Sequence, residues 1–258
     1  MGSERIAAAF AGHGKAAALM PYLMGGFPDL AASRAVGEAC AEAGADLLEL
    51  GVPYSDPLAD GPVIHAAATE ALAAGATVDG VLGVCEALAA RVPVVLMIYA
   101  NLVFARGAEA FADRARDAGA SGLIVPDLPH DEAGELRAAC DARGLALVPL
   151  VAPTTTDERV RAIGAGARGF VYTVSTTGTT GERDRLPEGL ERTVERVRAA
   201  TEVPVAVGFG ISSGAQARRV AELADGVIVG SRIVRAAGED GPEGVRAVVA
   251  DLAEALRS

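Results

Sequence analysis

One pattern repeats from end to end of this chain and leaves few folds open. Short apolar, β-rich runs alternate eight times with longer, alanine-rich amphipathic segments. The predicted strands are Met20–Met24, Asp46–Leu50, Val92–Ile98, Gly122–Val125, Ala146–Leu150, Gly169–Thr173, Val203–Val207 and Gly226–Val229. Helical periodicity marks Leu30–Ala43, Ala108–Ala118, Asp131–Ala142, Thr156–Ile163, Gly189–Ala200 and Gly214–Leu223. Several helix-to-strand junctions carry an AGA or ARG turn, as in AEAGADLLEL, RDAGASGLIV, DARGLALVPL and GAGARGFVYT. Glycine accepts the left-handed backbone that ends a helix. Strands that are apolar throughout, joined by helices, belong in a parallel sheet covered on its faces.

Eight such units in 258 residues predict a single-domain (β/α)8 TIM barrel spanning residues 1–258. An open, doubly wound sheet would favour a GxGxxG turn after the first strand; the chain reads GGFPDL there. The stretch Gly51–Arg91 is long enough for a loop and two helices, Pro62–Ala74 and Val78–Ala90, one more than the barrel needs. A further helix, Ser3–Ala11, is expected to close the barrel bottom.

A net charge of −11 opposes a nucleic-acid surface. It leaves a phosphorylated small molecule open, because backbone N–H groups at helix N-termini bind phosphate. The cysteines Cys40, Cys85 and Cys140 are dispersed and form no CxxC pair, as in reduced cytoplasmic proteins. KAAALMPYLMGGF has only Lys15 before it and is broken by Pro21 and a Gly-Gly pair, so it reads as a strand rather than a signal segment. No apolar run is long enough to span a membrane.

Barrel enzymes carry their chemistry at the C-terminal ends of the strands. Here those ends present Glu49 and the Asp60 loop, Tyr99 and Asn101, Asp127, Tyr172 with STTGTTG, then GFGISSG and VGSRIV. Glu49 lies inside LLEL, where burial would raise its pKa and suit it to move protons near neutrality. Asp60, in a proline-rich and more exposed loop, would stay ionised; two carboxyls in unlike surroundings permit a division of labour. A turn role before Gly61 is the plainer reading of Asp60 alone. The loops after strands seven and eight offer Gly208, Gly210, Gly230, Ser212 and Ser231 for a phosphate, or simply tight turns. The polar stretch 175–189 has the character of a lid, with Gly181 as a further backbone donor.

Absences narrow the chemistry. A Schiff-base aldolase needs a lysine at a strand end, yet the single lysine, Lys15, precedes the first strand. His13, His65 and His130 are scattered, which disfavours a metal centre. Proton transfer on a phosphorylated substrate, without a cofactor, is what these residues leave.

ELGVPYSDPLADGP, with PYLMGGFPD before it and YANLVF, VPDLP, GTTG and GFGIS after it, closely resembles the tryptophan synthase α-subunit family over essentially the whole chain. The resemblance implies retro-aldol cleavage of indole-3-glycerol phosphate to indole and glyceraldehyde 3-phosphate. It also implies a β-subunit partner in an αββα assembly, with pyridoxal phosphate belonging to that partner and no cofactor in this chain. By position, Glu49 falls on the family's catalytic glutamate, Asp60 on the carboxylate that binds the indole N–H, and Tyr172 on an active-site tyrosine. Gly181, Gly210, Gly230 and Ser231 fall on phosphate ligands, with Phe209 beside them. Tyr22, Met97, Tyr99, Ile124 and Leu150 would wall the indole. Thr180 falls on the lid threonine, and Asp56 would face the β subunit. Departures are Tyr22 where phenylalanine is common, the apolar turn Met24–Phe27, and Thr176 in place of an arginine. A stand-alone lyase, a catalytically silent regulator of the β subunit and another phosphate-binding barrel such as an isomerase are the competing functions.

Overall fold

The computed structural model describes residues 2–174, 189–208 and 210–257. Its strands are β1 (Ala18–Met24), β2 (Leu48–Gly51), β3 (Val94–Met97), β4 (Gly122–Ile124), β5 (Ala146–Val148), β6 (Leu150–Val151), β7 (Val171–Val174), β8 (Val205–Gly208) and β9 (Gly226–Val229). All pair in parallel, in the order β5-β4-β3-β2-β1-β9-β8-β7-β6. The two ends of that order, β5 and β6, flank Pro149 in the chain. The expected strand Ala146–Leu150 is therefore interrupted, because proline has no N–H to donate to a ladder. The Pro149 carbonyl still accepts from the Tyr172 N–H at 2.9 Å, so the sheet closes on itself as a TIM barrel.

Proline and glycine trim other strands too. β8 begins after Pro204, and β7 begins beyond Gly169, which has φ +71°. The helix-ending glycines Gly44, Gly119 and Gly144 are left-handed, with φ of +108°, +75° and +67°. In GAGARGFVYT that role passes from Gly166 to Gly169.

The first helix, α1 (Gly2–Gly12), sends Ile6 and the Phe10 ring up into the barrel bottom, where Phe10 meets Phe170 at a centroid distance of 5.7 Å. Helices α2 (Leu30–Glu42), α3 (Pro62–Ala73) and α4 (Val78–Ala89) follow, α3 being the extra one expected between the second and third strands. A short helix that the sequence pattern does not signal, α5 (Ala100–Phe104), comes directly after β3. Then come α6 (Ala108–Asp117), α7 (Gly134–Asp141), α8 (Asp157–Ala165), α9 (Leu190–Arg198), α10 (Gly214–Ala221), α11 (Ser231–Glu239) and α12 (Gly241–Arg257).

The core has two layers because alternate strand residues face opposite ways. Leu19, Leu48, Leu50, Leu96 and Val207 pack outward against the helices. Met20, Leu47, Val95, Ile124, Val148, Phe170, Tyr172 and Ile228 fill the interior. From Leu47, just before β2, this alternation carries Leu47, Glu49 and Gly51 inward, the last two towards the mouth.

Candidate active site

Glu49 is 0% exposed, and neither carboxylate oxygen has a hydrogen-bond partner among the described residues. An unpaired charge there is strongly disfavoured. Burial pushes the Glu49 carboxyl up to about 8, which makes it a proton carrier at neutral pH.

Asp60 sits higher, in the loop between β2 and α3, and is half-buried. The Tyr99 hydroxyl donates to Asp60 Oδ1 at 3.0 Å and accepts the Ala59 N–H at 3.1 Å. One phenol thereby fixes both the carboxylate and the backbone beside it. Burial raises the Asp60 pKa, while the Tyr99 hydrogen bond and the charge of His65 act the other way. Tyr54 stacks on Tyr99 at 5.1 Å, and Asn101 Nδ2 donates to the Tyr54 hydroxyl at 3.3 Å. Asp127 holds the same corner by accepting the Ala100 N–H at 2.9 Å. Tyr99 is thus an anchor as well as a wall. Tyr54 is missing from the sequence-level candidates, although it lies within the same GVPYSDP stretch.

Tyr22 pairs in register with Glu49, and both tyrosines of the interior, Tyr22 and Tyr172, are buried. Each ring rests on a glycine of the next strand. A Cβ at Gly51 would lie 2.0 Å from the Tyr22 hydroxyl oxygen, and one at Gly208 would lie 2.3 Å from that of Tyr172. Met97 joins the cluster around Tyr22 to the one around Ile124, Leu150 and Tyr172. Leu150 also borders a cavity of about 530 Å³ between the loops after β4 and β6, with Asp127, His130 and Arg137.

At the far side of the mouth, Gly230 caps α11 and Ser231 is its first residue. Gly210 has φ +84° and permits the turn after β8. Ser212 differs from the expectation: its N–H and hydroxyl both reach Gln216 Oε1, at 2.8 and 3.2 Å, as part of the cap of α10. Its hydroxyl serves the helix end. Thr176, Thr180, Gly181 and Phe209 lie outside the described residues.

Lys15 is far from this site, paired with Asp46 at 2.8 Å before the start of β2. Among the described residues no group of three or more His, Cys, Asp or Glu side chains is placed to hold a metal ion.

The mouth of a parallel barrel carrying a buried glutamate below a tethered aspartate can be compared with known proteins. The model of the family described as "Tryptophan synthase alpha chain" matches residues 9–257. The chain belongs to the tryptophan synthase α-chain family. It is 48% identical over 242 residues to the tryptophan synthase alpha chain of Synechococcus elongatus, covering 93% of this chain and 91% of that one. The Methanosarcina mazei alpha chain is 49% identical over 222 residues, 86% of this chain and 81% of that one. Among solved structures, a chain of Mycobacterium tuberculosis tryptophan synthase superposes with a TM-score of 0.93 at 42% identity, covering 98% of both chains. A chain of the tryptophan synthase a2b2 complex from Pyrococcus furiosus gives a TM-score of 0.86 at 34% identity, covering 93% of this chain and 98% of that one.

Proposed function

We propose that this tryptophan synthase α chain cleaves indole-3-glycerol phosphate to indole and glyceraldehyde 3-phosphate and passes the indole to a β chain. The observation that carries the reading is Glu49: a fully buried carboxyl with a pKa near 8, facing inward where the barrel opens. The indole N–H donates to Asp60, whose negative charge offsets the positive charge that develops as the ring is protonated at C3. Glu49, in its acid form, supplies that proton. The resulting carboxylate then takes the proton of the adjacent glycerol hydroxyl; the C–C bond breaks, its electron pair returns to the ring, and the oxygen becomes the aldehyde carbonyl. Each proton that leaves Glu49 is restored in the same turnover, so the chain needs no cofactor of its own. Pyridoxal phosphate belongs to the β chain. Gly210, Gly230 and Ser231 hold the phosphate at the start of α11, and the family motif adds Gly181, Thr180 and Phe209 to the closed site.

The partnered form is favoured over a stand-alone lyase by the surface around the mouth. Leu58 is 84% exposed, and Phe104 on α5 is also exposed, with Asp56 in the same loop as Leu58. Exposed apolar side chains beside an active site suit a permanent partner. Residues 1–258 act as one catalytic domain, and three buried, unpaired thiols suit the reducing cytoplasm.

The test is indole release from indole-3-glycerol phosphate, followed with and without the β chain. Glu49→Gln and Asp60→Asn are each expected to lower kcat by roughly 10²–10⁴-fold. Full activity in both variants would remove the acid/base assignment.

A further inference from the structure

We infer that the Tyr22 hydroxyl is a hydrogen-bond donor to the oxygen that becomes the aldehyde carbonyl, and not only part of an apolar wall. Tyr22 projects inward from β1 as the register partner of Glu49. Its ring leans across the neighbouring strand, so that the hydroxyl lies against Gly51, the residue two beyond Glu49 and nearer the mouth. The phenol therefore stands between the buried Glu49 and the Asp60 loop above it. Its Cβ lies on the other side, 3.7 Å from where a Cβ at Gly230 would be, next to the cap of α11. A substrate whose ring reaches Asp60 and whose phosphate reaches Gly230 has its reacting carbons over this hydroxyl. None of the hydrogen bonds among the described residues uses it, although the residue is only 4% exposed. A buried phenol normally has a partner; here the ligand completes the set.

Such a donor, which a phenylalanine at this position would not supply, assists the chemistry. When Glu49 removes the hydroxyl proton, negative charge builds on that oxygen before the C–C bond has broken. A fixed donor at this point stabilises the transition state more than the ground state. The phenol keeps its own proton throughout; the proton transferred goes to Glu49, and the bonding pair goes to the indole. Burial first, then the charges of Asp60, Glu49 and Tyr99, keep the Tyr22 phenol protonated well beyond the ordinary range.

The inference rests on the proposed lyase reading, and one set of assays separates the two. Wild-type and Tyr22→Phe chains, each with the β chain, are compared on indole-3-glycerol phosphate. Their affinities are also measured for an analogue in which hydrogen replaces the hydroxyl next to the ring. Tyr22→Phe is expected to lower kcat at least tenfold with little change in KM, and to bind the deoxy analogue as wild type does, within twofold. An unchanged kcat overturns the inference, as does an equal loss of affinity for the analogue, which would mark a wall residue only. If the wild-type chain itself releases no indole, the lyase reading fails instead.

Discussion

Burial dominates the proton affinity of Glu49, which links its chemistry to stability with a definite sign. The carboxyl ionises near 4.5 in ordinary surroundings and near 8 in the folded chain. Below the lower value both states hold the proton and the titration of Glu49 takes nothing from stability. As pH rises, the unfolded chain releases its proton first, so folding loses about 1.4 kcal/mol per pH unit until the folded value is passed. Glu49→Gln is therefore expected to melt above wild type at pH 8 and level with it at pH 4. Thermal denaturation at the two pH values checks this, and equal melting temperatures at pH 8 would contradict the burial argument. A residue that gains stability when neutralised while losing catalysis is one kept for its chemistry.

Strands supply the positions, and the glycine beside each tyrosine makes those positions usable. Gly51→Ala would force a methyl group into the space of the Tyr22 hydroxyl. Overpacking of this kind costs about 1–3 kcal/mol. Denaturant unfolding should show that loss, and adding Tyr22→Ala to Gly51→Ala should recover part of it; no recovery would mean the strain lies elsewhere. These contacts also mark the limit of what the sequence discloses. Glu49 is legible because a charge inside an apolar strand is anomalous by itself. The eight repeats are legible from periodicity, whereas the break at Pro149 is a matter of one missing N–H. The lean of Tyr22 over Gly51 depends on the register between β1 and β2, and the Tyr99–Asp60 bond depends on how two separate loops meet. Neither register nor loop meeting leaves a periodic trace. Helix α5 escapes for a related reason: ANLVF is five residues long, too short to show a helical period. Ser212 misleads because a cap and an anion site use the same residue types.

For the whole molecule, the proposed reading makes the mouth both an active site and a docking face. The loop that carries Asp60 also carries the exposed Leu58, and Tyr99, which holds Asp60, is followed directly by α5 with Phe104. A partner seated on these side chains would press on the same backbone that positions the carboxylate. Leu58→Asp is expected to leave the slow indole release of the isolated chain within about twofold, since a lone exposed side chain contributes little to folding. The rise on adding the β chain should fall at least tenfold. Titration of indole release with the β chain checks both, and an unaltered titration would place the interface elsewhere.

Lys15 acquires a meaning from the product that leaves the other end of the barrel. Glyceraldehyde 3-phosphate is an aldehyde, and unprotonated lysine amines condense with aldehydes to imines. The side chain of the chain's one lysine is 3% exposed, held at 2.8 Å by Asp46 and at 3.2 Å by the Gly44 carbonyl, at the end of the strands opposite the mouth. Its amine is tied up in an ion pair and kept out of the product's path. Arginines make up the rest of the chain's basic side chains. An enzyme that generates a reactive carbonyl at every turnover is thereby spared lysine adducts of its own making.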